Sequence, residues 1–241
     1  MTCVAGRGWT MHLGDCLDIL PTLDVSRLVL VSDVPYGIAL SSGRGGGFGR
    51  CTIANDGDTS MRDAALELYG PGPAIVFGTW RIARPPGTRV LLTWDKGEHV
   101  GMGDLELPWK PNTEEIYVLG DGFVGTRTGS VLRHLAIAGG VGVARDAKGL
   151  ILRGGRLHPT EKPVSLMLDL VGRCPPDRAV LDPFAGSAST GVAAMRLGRP
   201  FVGMEVDPTH FATACERLAA EEHESTVSAS RGGQGALFGA K

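Results

Sequence analysis

Hydrophobic residues in this chain fall into short dense runs rather than long periodic stretches. Arg27 to Ser32 (RLVLVS) is too short for a helix and rich in β-forming residues, which predicts a strand buried on both faces. Ala74 to Phe77 and Val90 to Trp94 predict two further strands, and Glu115 to Leu119 a weaker one. Met61 to Tyr69 (MRDAALELY), preceded by Asp, Thr and Ser as capping candidates, predicts a short helix. No periodicity stands out between Asp95 and Asn112, or from Asp121 to Leu157. Order returns with a strand at Ala179 to Asp182, a tight turn at Phe184 to Ser187 and a helix at Ala188 to Leu197. A strand at Pro200 to Val206 and a helix at Pro208 to Glu222 complete a βαβα unit.

Length then narrows the picture: 241 residues suit one α/β domain with insertions. The 36 glycines are roughly double ordinary usage and imply many turns and loops. The expected layout is one domain over 1–222, with insertions at about 37–60 and 95–157. Residues 223–241 read as a disordered Ser/Gly-rich tail. No apolar run is long enough to span a bilayer, and the N-terminal stretch lacks a signal-peptide core, so no membrane partner and a cytoplasmic location are expected. The five cysteines, Cys3, Cys16, Cys51, Cys174 and Cys215, never form a CxxC pair, which argues against a zinc site or disulfide framework. A net charge of −2 argues against a chain coated in nucleic acid. Charge is unevenly spread, however. From Gly122 to Lys162, Arg127, Arg133, Arg145, Lys148, Arg153, Arg156 and Lys162 face only Asp146 and Glu161. A local basic stretch in a neutral protein fits a phosphate-contacting surface, although a solvated face would read the same way.

Three segments carry candidate chemistry. In the βαβα unit, a strand ending at Asp182 leads into Phe184-Ala185-Gly186-Ser187, where backbone can pass close to a ligand at the strand's carboxyl end. The next strand ends in Glu205-Val206-Asp207, a carboxylate placed to accept bonds from ribose hydroxyls. Without G-x-G-x-x-G spacing, the unit by itself indicates only a nucleoside-containing cofactor. The second segment, Asp33-Val34-Pro35-Tyr36, follows a buried strand. Asp33 and the Val34 carbonyl suit the two hydrogens of an amino group on a flat ring, and Tyr36 suits the ring face. Pro35 restrains Val34 toward extended backbone. The third is His158-Pro159-Thr160-Glu161-Lys162-Pro163 ahead of VSLMLDLV, where a hydroxyl and a positive charge suit a cofactor carboxylate. Each segment alone is equally compatible with an ordinary turn or helix start.

Read together, LHPTEKPVSLMLDLV, VLDPFAGSASTGVAAMRLGRPFVGMEVDP and GDCLDILPTL…LVLVSDVPYG resemble the amino-methylating DNA methyltransferases of phages and restriction-modification systems. The segment order is similar to that family's beta class. TWDKG and EEIYVLG match more loosely. The resemblance implies a Rossmann-like α/β fold with a mostly parallel seven-stranded sheet in permuted order, S-adenosylmethionine as cofactor and double-stranded DNA as partner. It also implies roles. Asp33, Val34, Pro35 and Tyr36 carry over as the catalytic pocket. Asp182, Phe184, Ala185, Gly186, Ser187, Glu205 and Asp207 carry over to the cofactor, as do Asp15 and Cys16 near adenine. His158, Thr160 and Lys162 carry over near the methionyl end. The target base would be flipped out of the duplex. No metal and no covalent intermediate are needed.

Two departures matter. Val34 stands where the family usually has a first proline, and Ala188 where it usually has glycine, yet neither removes a chemical group. The first-position Asp33 resembles adenine-N6 enzymes more than cytosine-N4 enzymes, which leaves cytosine-N4 methylation and an inactive DNA-binding relic as alternatives. Methylation of RNA or of a protein amide fits the HPTEKP segment and the motif order poorly. Neither a monomer nor a homodimer is excluded. Gln234-Gly235-Ala236-Leu237-Phe238 resembles the peptide by which bacterial proteins dock on the replication sliding clamp, although an incidental apolar pair in a tail reads the same.

Overall fold

The computed structural model describes residues 2–35, 58–97, 106–137 and 161–223. Its frame follows from three apolar runs that cannot tolerate water on either face. β3 (Leu28–Ser32), β4 (Ala74–Gly78) and β8 (Ala179–Asp182) are almost wholly buried and pair in parallel, β8 and β4 flanking β3. Side chains alternate along them, as the pleat requires. Val29, Val31, Ile75 and Phe77 enter one apolar cluster, while Leu28, Leu30, Ala74 and Val76 enter the other. Helices α3 (Val164–Gly172), α4 (Ser189–Arg196) and α5 (Pro208–Glu222) cover the first face. Helices α1 (Cys16–Ile19) and α2 (Ser60–Tyr69) cover the second.

The remaining strands are β1 (Thr2–Gly6), β2 (Trp9–Leu13), β5 (Thr88–Asp95), β6 (Thr113–Leu119), β7 (Val131–Arg133) and β9 (Phe201–Glu205). The sheet runs β1-β2-β9-β8-β3-β4-β6-β5-β7. It has nine strands among the described residues, where seven were expected. The additions are its two edge strands. β1 folds back antiparallel on β2 and covers what would be a bare edge. The short β7 lies parallel to β5, fixed by the Trp94 indole N–H donating to the His134 carbonyl at 2.7 Å. Parallel pairing dominates, with β6 running antiparallel between β4 and β5. β6 and β7 both come from the segment 95–157 that the sequence presents as an insertion. The hairpin at 2–13 escaped the pattern because its strands have five residues each and only Trp9 and Met11 are buried.

Connections set the orientation of the site. β2, β9, β8, β3 and β4 are parallel neighbours, so their carboxyl ends share one edge. Ala188 opens α4 with φ of 58°, a left-handed conformation that favours glycine. That conformation costs roughly 1–2 kcal/mol for a residue with a Cβ. Burial of the methyl returns about 0.8 kcal/mol, which offsets part of that cost.

Gly191, in the middle of α4, is a firmer constraint. A Cβ there would lie 2.6 Å from the Phe201 ring and 2.8 Å from Leu218, both buried. Gly191→Ala is therefore expected to destabilise the domain by about 1–3 kcal/mol through overpacking. Urea denaturation checks this, and an unchanged midpoint would show that α4 has slack against β9 and α5.

Candidate active site

At the shared carboxyl edge the chain gathers carboxylates from separate strands. Asp182 ends β8 and is only 2% exposed. Its Oδ1 accepts from Ser32 Oγ at 2.6 Å and from the Phe184 N–H at 3.1 Å, and its Oδ2 from Thr190 Oγ1 at 2.6 Å. Burial pushes its pKa from the ordinary 3.8 up to about 6, against the pull of those donors. The carboxylate sits inside the sheet edge, tying β8 to β3 and to α4.

Glu205, which ends β9, stays half-buried at the edge. Its Oε2 accepts from the Gly186 N–H at 2.9 Å and its Oε1 from the Asp207 N–H at 2.9 Å. Each oxygen therefore retains a further lone pair. The turn Phe184 to Ser187 passes beside it, closed by the Ala185 N–H on the Met204 carbonyl. Asp207 spends its own carboxylate on capping α5 through the N–H groups of Thr209 and His210, which hold it below its usual value. From the neighbouring β2, the Gly14 N–H donates to the Glu205 carbonyl, and Asp15 caps α1 through the Leu17 N–H. Cys16 follows, buried, its thiol pushed by burial up to about 12 and so inert as a nucleophile. Asp15, Cys16, Gly186 and Glu205 are thus gathered around the end of β9.

Across β8 stands Asp33, directly after β3. The buried Lys162 ammonium donates to its Oδ2 at 2.6 Å and lies 3.3 Å from Glu114 Oε2 on β6. Glu114 in turn pairs with Lys96, just past β5, and the Lys162 ammonium stands 4.9 Å from the Phe77 ring centroid. Burial opposes charge on Lys162, but Asp33 and Glu114 outweigh it and raise its pKa. Burial likewise opposes charge on Glu114, but Lys162 and Lys96 hold it low. The result is an alternating row, Asp33–Lys162–Glu114–Lys96, partly buried and centred on the buried Lys162. Val34 is 3% exposed and packs in the second apolar cluster, which gives this valine a packing role at the position. Pro35 is buried beside it.

Sequence reading missed three of these groups: Glu114, Lys96 and Arg217. Arg217, from α5, donates to the Ser187 carbonyl and to the Ser187 and Ser189 hydroxyls, and pairs with Glu161 at 2.8 Å. It joins the turn after β8 to the segment carrying Lys162. Nothing in its helical neighbourhood marks it, because the partners lie about 30 and 56 positions away. Of the basic stretch, Arg133 ends β7 at the carboxyl edge, exposed, 3.6 Å from Asp95. Arg127 instead lines a groove with Arg89 and Arg173 beside the loop after β6. Tyr36, His158, Thr160, Arg145, Lys148, Arg153, Arg156 and Gln234 to Phe238 lie outside the described residues. No described helix is long and apolar enough to cross a membrane.

An open α/β sheet with a glycine turn, a half-buried acid on the next strand and an Asp-x-Pro segment along one edge is the build of the S-adenosylmethionine-dependent methyltransferases. Comparison with known proteins supports the same class. Residues 133–216 match the DNA methylase family of N6 and N4 enzymes. A protein named methylase YubD, from Escherichia coli K12, is 28% identical over 86% of this chain and 88% of its own length. DNA adenine methyltransferase YhdJ of the same organism is 39% identical over 28% of this chain and 24% of its own length. Among solved structures, the M1.HpyAVI–SAM complex aligns over 87% of this chain and all of that one, with a TM-score of 0.55 and 20% identity. The cytosine-N4-specific PvuII DNA methyltransferase aligns over 86% of this chain and 85% of that one, with a TM-score of 0.58 and 16% identity. The chain is thus similar to amino-directed DNA methyltransferases in sequence over residues 133–216, and it shares the fold of solved members of that group.

The raised pKa of Asp182 has a measurable consequence. A carboxyl whose folded pKa lies above its unfolded value favours the fold when protonated, and that advantage is lost as pH rises through about 6. Asp182→Asn has no such titration. The stability of wild type relative to Asp182→Asn should therefore fall by up to about 3 kcal/mol between pH 4 and pH 7. Denaturant midpoints of both proteins across that range check it. A gap independent of pH would mean that Asp182 titrates as an ordinary carboxylate.

Proposed function

We propose that this chain transfers a methyl group from S-adenosylmethionine to the exocyclic N6 amino group of adenine in double-stranded DNA. The observation that carries the proposal is the placing of Asp33-Val34-Pro35 at the same sheet edge as the Gly186 turn and Glu205. The cofactor supplies an activated methyl group on a sulfonium. Glu205 suits its ribose hydroxyls, because the carboxylate is held by two backbone N–H groups and keeps acceptor capacity on both oxygens. The turn Phe184 to Ser187 lets the backbone approach closely, and Arg217 holds that turn in shape.

The target amino group needs acceptors, not donors, around it. Asp33 offers a carboxylate and Val34 a carbonyl, which orient the nitrogen and stabilise the positive charge that develops on it. Lys162 pairs with Asp33 through Oδ2, and an opposite charge so close favours the carboxylate form. Adenine is favoured by aspartate at the first position of the segment and by the partial match to an enzyme named for adenine. Digestion of treated DNA to nucleosides, followed by mass spectrometry, distinguishes N6-methyladenine from N4-methylcytosine.

Asp33→Ala is expected to lower single-turnover methyl transfer about a thousandfold or more, while cofactor affinity changes less than about tenfold. Because this variant leaves Lys162 to Glu114 alone, Asp33→Asn, which preserves volume, is measured beside it. Near wild-type transfer in either folded variant would remove Asp33 from the mechanism. Lys162→Met should also lower transfer more than cofactor affinity, since its ammonium engages Asp33. A loss confined to cofactor affinity, read by calorimetry, would place its charge on the cofactor instead.

A further inference from the structure

Tryptophan is usually well buried, and a large apolar side chain held in solvent commonly marks a contact surface. Trp80 is 76% exposed and Trp109 78% exposed. Both stand at the catalytic edge. Trp80 follows the end of β4, the strand paired to β3 through Ser32 and Val76. Trp109 precedes β6, which runs antiparallel to β4 with Gly78 opposite Glu115, so its approach is from the same side.

The loop that carries Trp80 is anchored from below at both ends. At one end the Tyr117 hydroxyl, which donates to Glu115 Oε2, also lies 3.2 Å from the Thr79 carbonyl. At the other, the fully buried Arg62 donates to the Ala83 carbonyl at 2.9 Å. The Ile82 N–H closes the turn on the Thr79 carbonyl, and the Arg81 N–H lies 3.4 Å from Thr79 Oγ1. Gly78 admits no side chain, because a Cβ would lie 2.3 Å from the Tyr117 ring. Two buried side chains thus fix the ends of a loop whose tip, Trp80 with the Arg81 guanidinium 5.5 Å from its ring centroid, faces solvent. A flat π-face carrying a cation, held on a fixed frame, suits a nucleobase that has left its stack.

We propose that Trp80 is a base-stacking residue, taking an unpaired nucleobase of the DNA strand opened beside the catalytic edge. The assignment rests on the DNA-methylation reading and adds a DNA contact distinct from the Asp33 segment. An indole so placed would hold the distorted strand after a base leaves the duplex, lowering the cost of keeping it open.

The test uses Trp80→Ala and Trp80→Phe in the full chain, with an unpaired oligonucleotide and its duplex as probes. Both variants should keep the wild-type melting temperature and cofactor affinity, because Trp80 is exposed. Trp80→Ala should bind the unpaired strand about five- to a hundredfold more weakly, while Trp80→Phe should recover most of the loss. The salt dependence of binding should not change, since no phosphate contact is removed. Wild-type affinity in Trp80→Ala, or a loss that phenylalanine does not recover, overturns the proposal. If wild type methylates DNA in the same assay, that result overturns stacking alone. If wild type neither binds nor methylates DNA, the reading of the whole site fails with it.

Discussion

An ammonium buried between two carboxylates holds the active edge of this protein together. Lys162 comes from the C-terminal half of the chain, Asp33 from the N-terminal half and Glu114 from the antiparallel strand between β4 and β5. Each charge is costly to bury alone, and their mutual pairing makes the arrangement tolerable. Breaking one such pair typically costs about 3–5 kcal/mol, because a buried charge is then left uncompensated. The row therefore fixes the relative position of Asp33 and the segment leading into α3.

A second set of polar contacts does the corresponding work around the ends of β8 and β9. Asp182 is enclosed and joins β8, β3 and α4, whereas Glu205 remains half-buried with oxygens able to accept more. Two acids one strand apart thus serve opposite ends: one shapes the turn and the other faces outward from it. Arg217 then links this turn to Glu161, one residue before Lys162. Through that link the turn after β8 and the charged row share a common support, so packing of α5 bears on the geometry of both.

The sequence alone determined the elements whose signal is local. Apolar runs of four to seven residues announced β3, β4, β8 and β9, and capping candidates announced α2. The motif segments placed Asp33, Glu205 and the Phe184 to Ser187 turn at strand ends, because each directly follows or closes one of those apolar runs. A resemblance carried by three segments in order was enough to indicate the family.

Tertiary structure decided what depends on distant partners. β1 and β7 are edge strands with few buried residues, so they exist because a neighbour offers hydrogen bonds, not because their sequences demand a strand. β6 looked weak because strand strength there comes from lying between β4 and β5. Asp182 and Asp207, read as cofactor contacts, have their carboxylates engaged in sheet anchoring and helix capping, a matter of which N–H and hydroxyl groups the fold brings near. Lys96 and Glu114 fall inside segments that match the family only loosely, and Arg217 falls in none of the matched segments. Their roles arise from Coulomb attraction across a closed sheet edge, which acts over ångströms in space and leaves no periodic trace along the chain.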